Sequence, residues 1–492
     1  MVLRDILAAL VALVCIGLGL FLLERPRAGL EISSLMVGET PATVMQVPET
    51  TAPVVVIAHG FAGSRQLMHP YQLTLARAGY ITVSYDLQGH GRNPLPMSGD
   101  VNSIDGTTRL LMEEIGRVTD AALALPGADG RVALLGHSMA SDIIVRQALA
   151  DDRVGAVVAI SLFSEAVTAA EPENMLVVNG AWEGALRAEA QRIMAEVGAA
   201  EGDTVGTPGE GFARRAVAAP MVEHVGVLYS ATGMREAREW LNATFGRDYR
   251  SGIANIGGPV LLTLLGVVLL GLPLANLLAE GPRLPEVPKG AFLALALAPA
   301  VLTPLILSLV ETRFLPVLVA DYLALHLAVY GSLVLAGLAV EGDLPKLRGG
   351  PAGILLAGFA LIAFGGVLDR YVASFFPHAG RLPILAAILP GAVLAMVADA
   401  ALLQAGHARI WRRWVARLAF LMSLGIAVAL DFERLFFLII ILPVIGLFYL
   451  SFGVIGGWVG RRTGSALAMG LGLGIVLAWA LAVTFPLFTG TT

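Results

Sequence analysis

Eight apolar runs, each long enough to cross a lipid bilayer, follow one another in the second half of the chain. They cover residues 258–279, 290–310, 316–340, 352–368, 382–404, 414–430, 434–457 and 466–488. Each has about 17 to 25 residues, the length an α-helix needs to cross a hydrocarbon core. Long buried helices of a water-soluble protein would not give so many uncharged runs in series. Residues 251–492 are therefore predicted to form an all-α transmembrane domain of about eight helices.

A further apolar run, ILAALVALVCIGLGLFLL at residues 6–23, lies near the start of the chain. Its length of about 18 residues suffices for one span. A cleaved signal peptide would need a small-x-small cleavage pattern, and none follows the run. Residues 1–24 are therefore predicted to be a transmembrane anchor that is not removed. The single cysteine, Cys15, lies inside it and can form neither an internal disulfide nor a metal site.

The Lys and Arg residues in alternate loops of these spans predict an orientation. Eleven lie on one side, namely Arg4, Arg283, Lys289, Lys346, Arg348, Arg409, Arg412, Arg413, Arg417, Arg461 and Arg462, against four on the other, Arg313, Arg370, Arg381 and Arg434. Positively charged short loops stay in the cytoplasm. We therefore expect an integral protein of a bacterial inner membrane with its N-terminus inside and residues 25–250 on the extracytoplasmic side. Arg25 and Arg27, just outside the first span, oppose this orientation mildly.

Residues 25–250 have the composition of a globular domain, although the whole chain is 56% apolar and only 14% charged. Short apolar segments alternate with stretches of helical periodicity over this region. Such alternation predicts an α/β fold with a doubly wound, mostly parallel sheet. The segments at 154–162 and 175–178 read as consecutive strands, and the residues between them leave room for almost no cap. A net charge of −5 without a basic stripe gives nucleic-acid binding no support.

The stretch VALLGHSMAS, residues 132–141, carries the strongest motif in this region. Four apolar residues lead into Gly136-His137-Ser138-Met139-Ala140, and a segment of helical composition follows. This strand, turn and helix order is typical of a nucleophile elbow, G-x-S-x-G, in which a tight turn presents a serine above the sheet. Ala140 stands where the pattern has its second glycine. An ordinary strand-to-helix turn is the alternative interpretation.

Several motifs together resemble the α/β-hydrolase superfamily, in particular serine esterases and lipases. They are HGFAGS, DLQGHGR, GHSMAS, NGAWEG after a strand, and EHVGVLYS before a last helix, in the order of that family. The resemblance covers about residues 30 to 246. It does not extend to the membrane half, which resembles no family that we recognise.

The resemblance implies a catalytic triad and an oxyanion hole. Ser138 would be the nucleophile, Glu183 the acid in the turn after a strand, and His224 the base before the closing helix. The backbone amides of Phe61 and Met139 would hold the oxyanion. The alternative for Glu183 is an exposed carboxylate near a helix N-terminus. His59 is expected to hold its loop, and His90 and Asp86 to shape theirs.

The predicted function is a membrane-anchored serine hydrolase that cleaves carboxylic esters, with lipid-like or acylated substrates, through a Ser-His-Glu triad. An acyltransferase or a peptidase could use the same triad, and a non-catalytic transporter or assembly protein could keep the domain for binding only. The expected partners are the bilayer and a lipid or small-molecule ester. The sequence gives no reason for a metal or organic cofactor and does not indicate an oligomeric state. Asp321, His326 and Asp399, inside predicted spans, are expected to have structural or interfacial roles, and a functional role is the alternative.

Overall fold

The computed structural model describes residues 3–100, 103–249, 251–315, 317–346 and 348–489. Residues 1, 250 and 492, at the ends of predicted domains, and residue 316, at the start of a predicted span, lie outside these ranges. The strands are β1 (Glu31–Val37), β2 (Thr40–Gln46), β3 (Ala52–Ala58), β4 (Ile81–Tyr85), β5 (Met97–Ser98), β6 (Ala128–His137), β7 (Val154–Ile160), β8 (Asn174–Gly180), β9 (Thr204–Gly206), β10 (Ala213–Ala219) and β11 (Phe488–Thr489).

Nine of these strands form one sheet in the order β1-β2-β4-β3-β6-β7-β8-β10-β9. The six strands from β4 to β10 in this order run parallel, while β1, β2 and β9 are antiparallel to their neighbours. The fold is that of an α/β-hydrolase, which confirms the predicted fold class. Between β7 and β8 no helix is inserted, so the cap common in such folds is absent from this position.

Helices cover both faces of the sheet, which explains why the central strands are apolar along their whole length. The helices of the chain are α1 (Leu3–Glu24), α2 (His69–Arg77), α3 (Arg109–Leu123), α4 (Met139–Ala150), α5 (Gly184–Ala195), α6 (Ala231–Thr244), α7 (Gly257–Asn276), α8 (Lys289–Leu307), α9 (Ala320–Val340), α10 (Gly350–Phe359), α11 (Gly365–Tyr371), α12 (Leu382–Leu402), α13 (Ile410–Leu430), α14 (Phe432–Leu435), α15 (Leu438–Thr463) and α16 (Ala466–Thr484). One core joins α3, α4 and α5 to the sheet, and a second joins α2 and α6 to its other face.

The C-terminal half is a bundle of apolar helices. Within the described ranges, nine helices including α1 have the length and composition to cross a membrane. This number equals the predicted one. A π-helical segment, Ala360–Phe364, joins α10 to α11, and the three together make one such span. These helices are compatible with an integral membrane protein.

Polar contacts link neighbouring segments at each of the two ends of the bundle. At one end, Asn276 donates to Asp5, and the ion pairs Arg462–Glu280 and Arg412–Glu286 link neighbouring loops. At the other end, the sheet domain meets the bundle. There Arg370 pairs with Glu24, the Ser374 amide donates to Ser64, and Arg92 Nη2 donates to both carboxylate oxygens of Asp369.

Candidate active site

Ser138 occupies the sharp turn between β6 and α4, with φ 55° and ψ −121°. A positive φ is strained for any residue with a side chain, and such strain is typical of a nucleophile elbow. A Cβ atom at Gly136 would lie 2.6 Å from the carbonyl oxygen of Ala140, so only glycine fits there. Ala140 itself is fully buried in the core on α4. The position where this chain departs from G-x-S-x-G therefore accommodates a methyl group.

The three predicted triad residues lie within hydrogen-bonding distance of one another. His224 Nε2 is 2.8 Å from Ser138 Oγ, and His224 Nδ1 is 2.5 Å from Glu183 Oε1. The residues come from three loops, those after β6, β8 and β10, at the carboxyl edge of the parallel strands. This geometry allows His224 to accept the serine proton while Glu183 orients the imidazole.

Glu183 is buried, and its second carboxylate oxygen is held by two further donors. The Ser161 hydroxyl donates to Glu183 Oε2 at 2.9 Å, and the backbone amide of Gly180 donates to the same oxygen. Burial raises the pKa of Glu183, but the hydrogen bonds from His224, Gly180 and Ser161 outweigh burial and lower it overall. The side chain is therefore an ionised acceptor and not the exposed carboxylate of the alternative interpretation.

The residues predicted to supply the oxyanion donors lie close to the nucleophile. Met139 follows Ser138 directly and begins α4. Gly60, which precedes Phe61, approaches so closely that a Cβ there would lie 2.9 Å from Ser138 Cβ. In the described part of the chain, neither the Phe61 nor the Met139 amide has a hydrogen-bond partner. Both N–H groups are therefore without a partner in the described chain, and their role as oxyanion donors stays a prediction.

His59 and Asp86 hold the loops around them by hydrogen bonds. Nδ1 of His59 donates to the Gly60 carbonyl at 2.7 Å, and its Nε2 accepts from the Leu87 amide at 3.1 Å. This pair of contacts fixes one neutral tautomer, and burial lowers the pKa of His59 in agreement. Asp86 accepts from the Arg65 and Arg92 backbone amides, which joins the two loops that the sequence motifs mark.

Two residues that support the triad were not identified from the sequence. Ser161 holds Glu183, as described above. His137 donates from Nε2 to the backbone carbonyl of His224 at 2.9 Å, so it fixes the loop that carries the base. Burial, followed by the repulsion of His224, lowers the pKa of His137 to about 3, so it stays neutral. Nothing in the local sequence signals either contact, because the partners are 22 and 87 residues away.

The cleft above the triad is open and has an apolar rim. The His224 side chain is 44% exposed. Large apolar side chains on the loops after β7, β8 and β10 are also exposed, namely Phe163 by 64%, Trp182 by 68%, Met221 by 78% and Val225 by 49%. Exposed apolar side chains that cluster in this way mark surfaces for a ligand or a membrane.

Residues 49–189 match the family model described as serine aminopeptidase, S33, an α/β-hydrolase family. The match includes Ser138 and Glu183 and ends before His224. No curated protein sequence matches the chain significantly.

Solved structures with similarity to the chain include three that cover between 27% and 44% of it. An epoxide hydrolase from Vigna radiata is 25% identical over 27% of this chain and 39% of its own, with a TM-score of 0.22. A hypothetical protein from Pseudomonas aeruginosa is 13% identical over 44% of this chain and 94% of its own, with a TM-score of 0.34. A dienelactone hydrolase from Anabaena variabilis is 20% identical over 43% of this chain and 96% of its own, with a TM-score of 0.31. The chain thus spans about two fifths of the length of the Vigna enzyme.

Proposed function

We propose that the chain is a membrane-anchored serine hydrolase that cleaves carboxylic esters. The observation that carries this proposal is the hydrogen-bonded series Ser138, His224 and Glu183 at a strained elbow. The Ser138 oxygen would attack the ester carbonyl while His224 Nε2 takes its proton. His224 would return that proton to the leaving alcohol, which leaves an acyl-enzyme on Ser138.

The same groups would complete the cycle. The oxyanion that forms on the carbonyl would accept from the Phe61 and Met139 amides. Ionised Glu183 would stabilise the imidazolium while His224 holds the proton. A water molecule activated by His224 would then attack the acyl-enzyme, and Ser138 would regain its proton.

We also propose that the substrate is lipid-like and that the hydrolase domain lies on the extracytoplasmic side. The open cleft, the apolar rim and the attached bundle support a substrate that reaches the triad from the membrane. Equal turnover of a short soluble ester and a membrane-embedded ester would contradict this part of the proposal.

Amide cleavage is the second candidate, because the matching family model is described as an aminopeptidase. A triad does not itself distinguish esters from amides. Purified protein should therefore be offered a p-nitrophenyl ester and an amino-acid p-nitroanilide with a free amino group. Faster cleavage of the anilide would replace the ester proposal with the peptidase.

The direct test is labelling of isolated membranes with a fluorophosphonate probe, which reacts only with activated serines. Wild type and the control Ser33→Ala, a change on exposed β1, should be labelled. Ser138→Ala and His224→Ala should not be labelled. Glu183→Gln should lower turnover by about 10⁴-fold, as loss of the orienting acid does in known triads. A folded wild type that stays unlabelled would favour the binding-only alternative.

A further inference from the structure

A narrow apolar cleft lies where the hydrolase domain meets the helix bundle. It contains about 470 Å³ of empty space, including the part open to its surroundings. One wall is formed by Phe61 and Ala62 of the hydrolase domain, and the others by the loop before α9, the first turns of α15 and the end of α16. Thr484 is the one residue in this lining with a polar side chain, and its hydroxyl donates to the Ala480 carbonyl of its own helix. The lining therefore offers no free polar side chain to an occupant.

Phe61 joins this cleft to the candidate active site. Its backbone amide is one of the two candidate oxyanion donors, and its ring packs against Phe437 of the bundle at 5.0 Å between centroids. Gly60, the preceding residue, lies so close to Ser138 that a Cβ built on it would be 2.9 Å from the Ser138 Cβ. If the carbonyl group of a substrate is bound at Ser138 with its oxygen on the Phe61 amide, the same residue, Phe61, also forms the wall of the cleft. The substrate carbonyl would therefore lie next to the cleft.

The direction of the cleft suits a hydrocarbon chain. Its lining on the bundle side runs from Phe437 to Val444, which advances about 10 Å along α15 at 1.5 Å per residue. This places the deeper part of the cleft inside the apolar segment of the helix, where a polar group would be costly. An occupant that begins at Ser138 and continues past Phe61 must therefore be apolar beyond its carbonyl.

We propose that this cleft binds the acyl chain of the ester substrate, so that the membrane domain sets the acyl-chain preference of the hydrolase. This inference rests on the proposed function, because it assigns the acyl side of the bond that Ser138 cleaves. It also gives the fused helices a role in substrate selection beyond anchoring the hydrolase domain.

The test compares p-nitrophenyl octanoate with p-nitrophenyl acetate on full-length protein in lipid nanodiscs. Val444→Trp fills the deeper part of the cleft, and Ile439→Trp is the matched control on the same helix. The two residues are similarly exposed, Ile439 by 42% and Val444 by 38%, but only Val444 belongs to the lining. Wild type and Ile439→Trp should favour the octanoate in kcat/KM. Val444→Trp should lower that ratio about tenfold or more, because the larger side chain shortens the cleft, while labelling by the probe shows that the variant is folded.

The possible failures are distinguishable. Acetate hydrolysis that depends on Ser138, combined with the same octanoate-to-acetate ratio in Val444→Trp and wild type, would overturn the inference and leave the proposed function standing. No Ser138-dependent hydrolysis of either ester would overturn both. If Val444→Trp is not recovered in a form that the probe labels, Val444→Phe tests the same position with a smaller side chain.

Discussion

Four histidines of the hydrolase domain, His59, His69, His90 and His137, are buried and unavailable to solvent. Burial lowers the pKa of each, and for His69 and His137 the pKa falls to about 3. His69 Nδ1 and His90 Nε2 have no hydrogen-bond partner in the described ranges. The fold therefore requires these four rings to be neutral.

This requirement predicts that the domain loses stability in acid. A histidine in the unfolded chain binds a proton below about pH 6.5, whereas buried His69 and His137 bind one only near pH 3. The unfolded state thus binds more protons in this window, and the free energy of unfolding falls as the pH decreases from 6.5 to 3. The loss reaches at most about 5 kcal/mol for each of these two residues.

Denaturant titrations at about pH 7, 6 and 5 would measure the loss. His69→Gln removes one titrating ring and should give a shallower dependence of the unfolding free energy on pH. Asp105→Asn, a change of an exposed residue in the π-helical segment Ile104–Thr108, serves as the control and should keep the wild-type slope. Identical slopes for His69→Gln and wild type would contradict the prediction.

Sequence motifs and their order along the chain identified some residues of the candidate site but not others. Ser138, Glu183 and His224 follow strands at the edge where parallel strands present their loops, so chain order was enough to expect them together. Their catalytic role stays a prediction. Ser161 and His137 act through contacts with a carboxylate oxygen and a backbone carbonyl far along the chain, and no local pattern encodes such contacts.

At the scale of elements, glycines set the distances between membrane helices. A Cβ at Gly470 on α16 would lie 2.3 Å from the Cα of Val397 on α12, and one at Gly474 would lie 2.6 Å from the Cα of Val393. Both contacts are with backbone, which cannot move aside as a side chain could. Small residues allow close packing of this kind where no hydrophobic force acts between helices in lipid.

Gly470→Leu should therefore force α12 and α16 apart and destabilise the bundle by about 1 to 3 kcal/mol or more. The matched control is Gly358→Leu in α10, where a Cβ would meet nothing within 4 Å. Thermal unfolding of both variants in the same detergent would give the comparison. Equal midpoints for Gly470→Leu and Gly358→Leu would show that this contact does not hold the helices together.

Apolar runs predicted the number of spanning helices but not their ends. The run predicted at 414–430 is a helix that begins at Ile410, and the run predicted at 434–457 is a helix that continues to Thr463. The missed turns contain Arg412, Arg413, Arg461 and Arg462. Long cationic side chains can extend a membrane helix because their charged groups reach the interface or a carbonyl. The apolar run in the sequence ends where these charged residues begin, whereas the hydrogen-bonded helix continues through them.

At the scale of the whole molecule, one buried arginine forms hydrogen bonds with both the hydrolase domain and the helix bundle. No local sequence pattern predicts these contacts. The buried Arg381 donates to the carbonyls of Gly89 and Gly91 in the hydrolase domain and to those of Ala482 and Phe485 after or within α16. Strand β11, beyond α16, pairs with β5 of the hydrolase domain. The loop that ends at Arg381 thus contributes to this contact. The wall of the apolar cleft is therefore held in a defined position relative to Phe61.

Sidedness is the property of the whole molecule that decides which leaflet supplies the substrate. The loops that contact the hydrolase domain contain Arg370 and Arg381, and the opposite end of the bundle contains Arg348, Arg412 and Arg462. The larger cationic set thus lies away from the hydrolase domain. Because such loops remain in the cytoplasm, we expect the triad to face outwards.

Labelling with a membrane-impermeant maleimide on spheroplasts would test this orientation. Cys15→Ala first removes the native thiol, and one exposed cysteine is then introduced at each end. Ser33→Cys on β1 should react in intact spheroplasts, whereas Glu341→Cys after α9 should react only once the membrane is permeabilised. The reverse pattern would place the triad in the cytoplasm, so its substrate would have to come from the inner leaflet. Reaction of both cysteines in intact spheroplasts would mean that the two sites share one side, which an odd number of spans between them cannot allow.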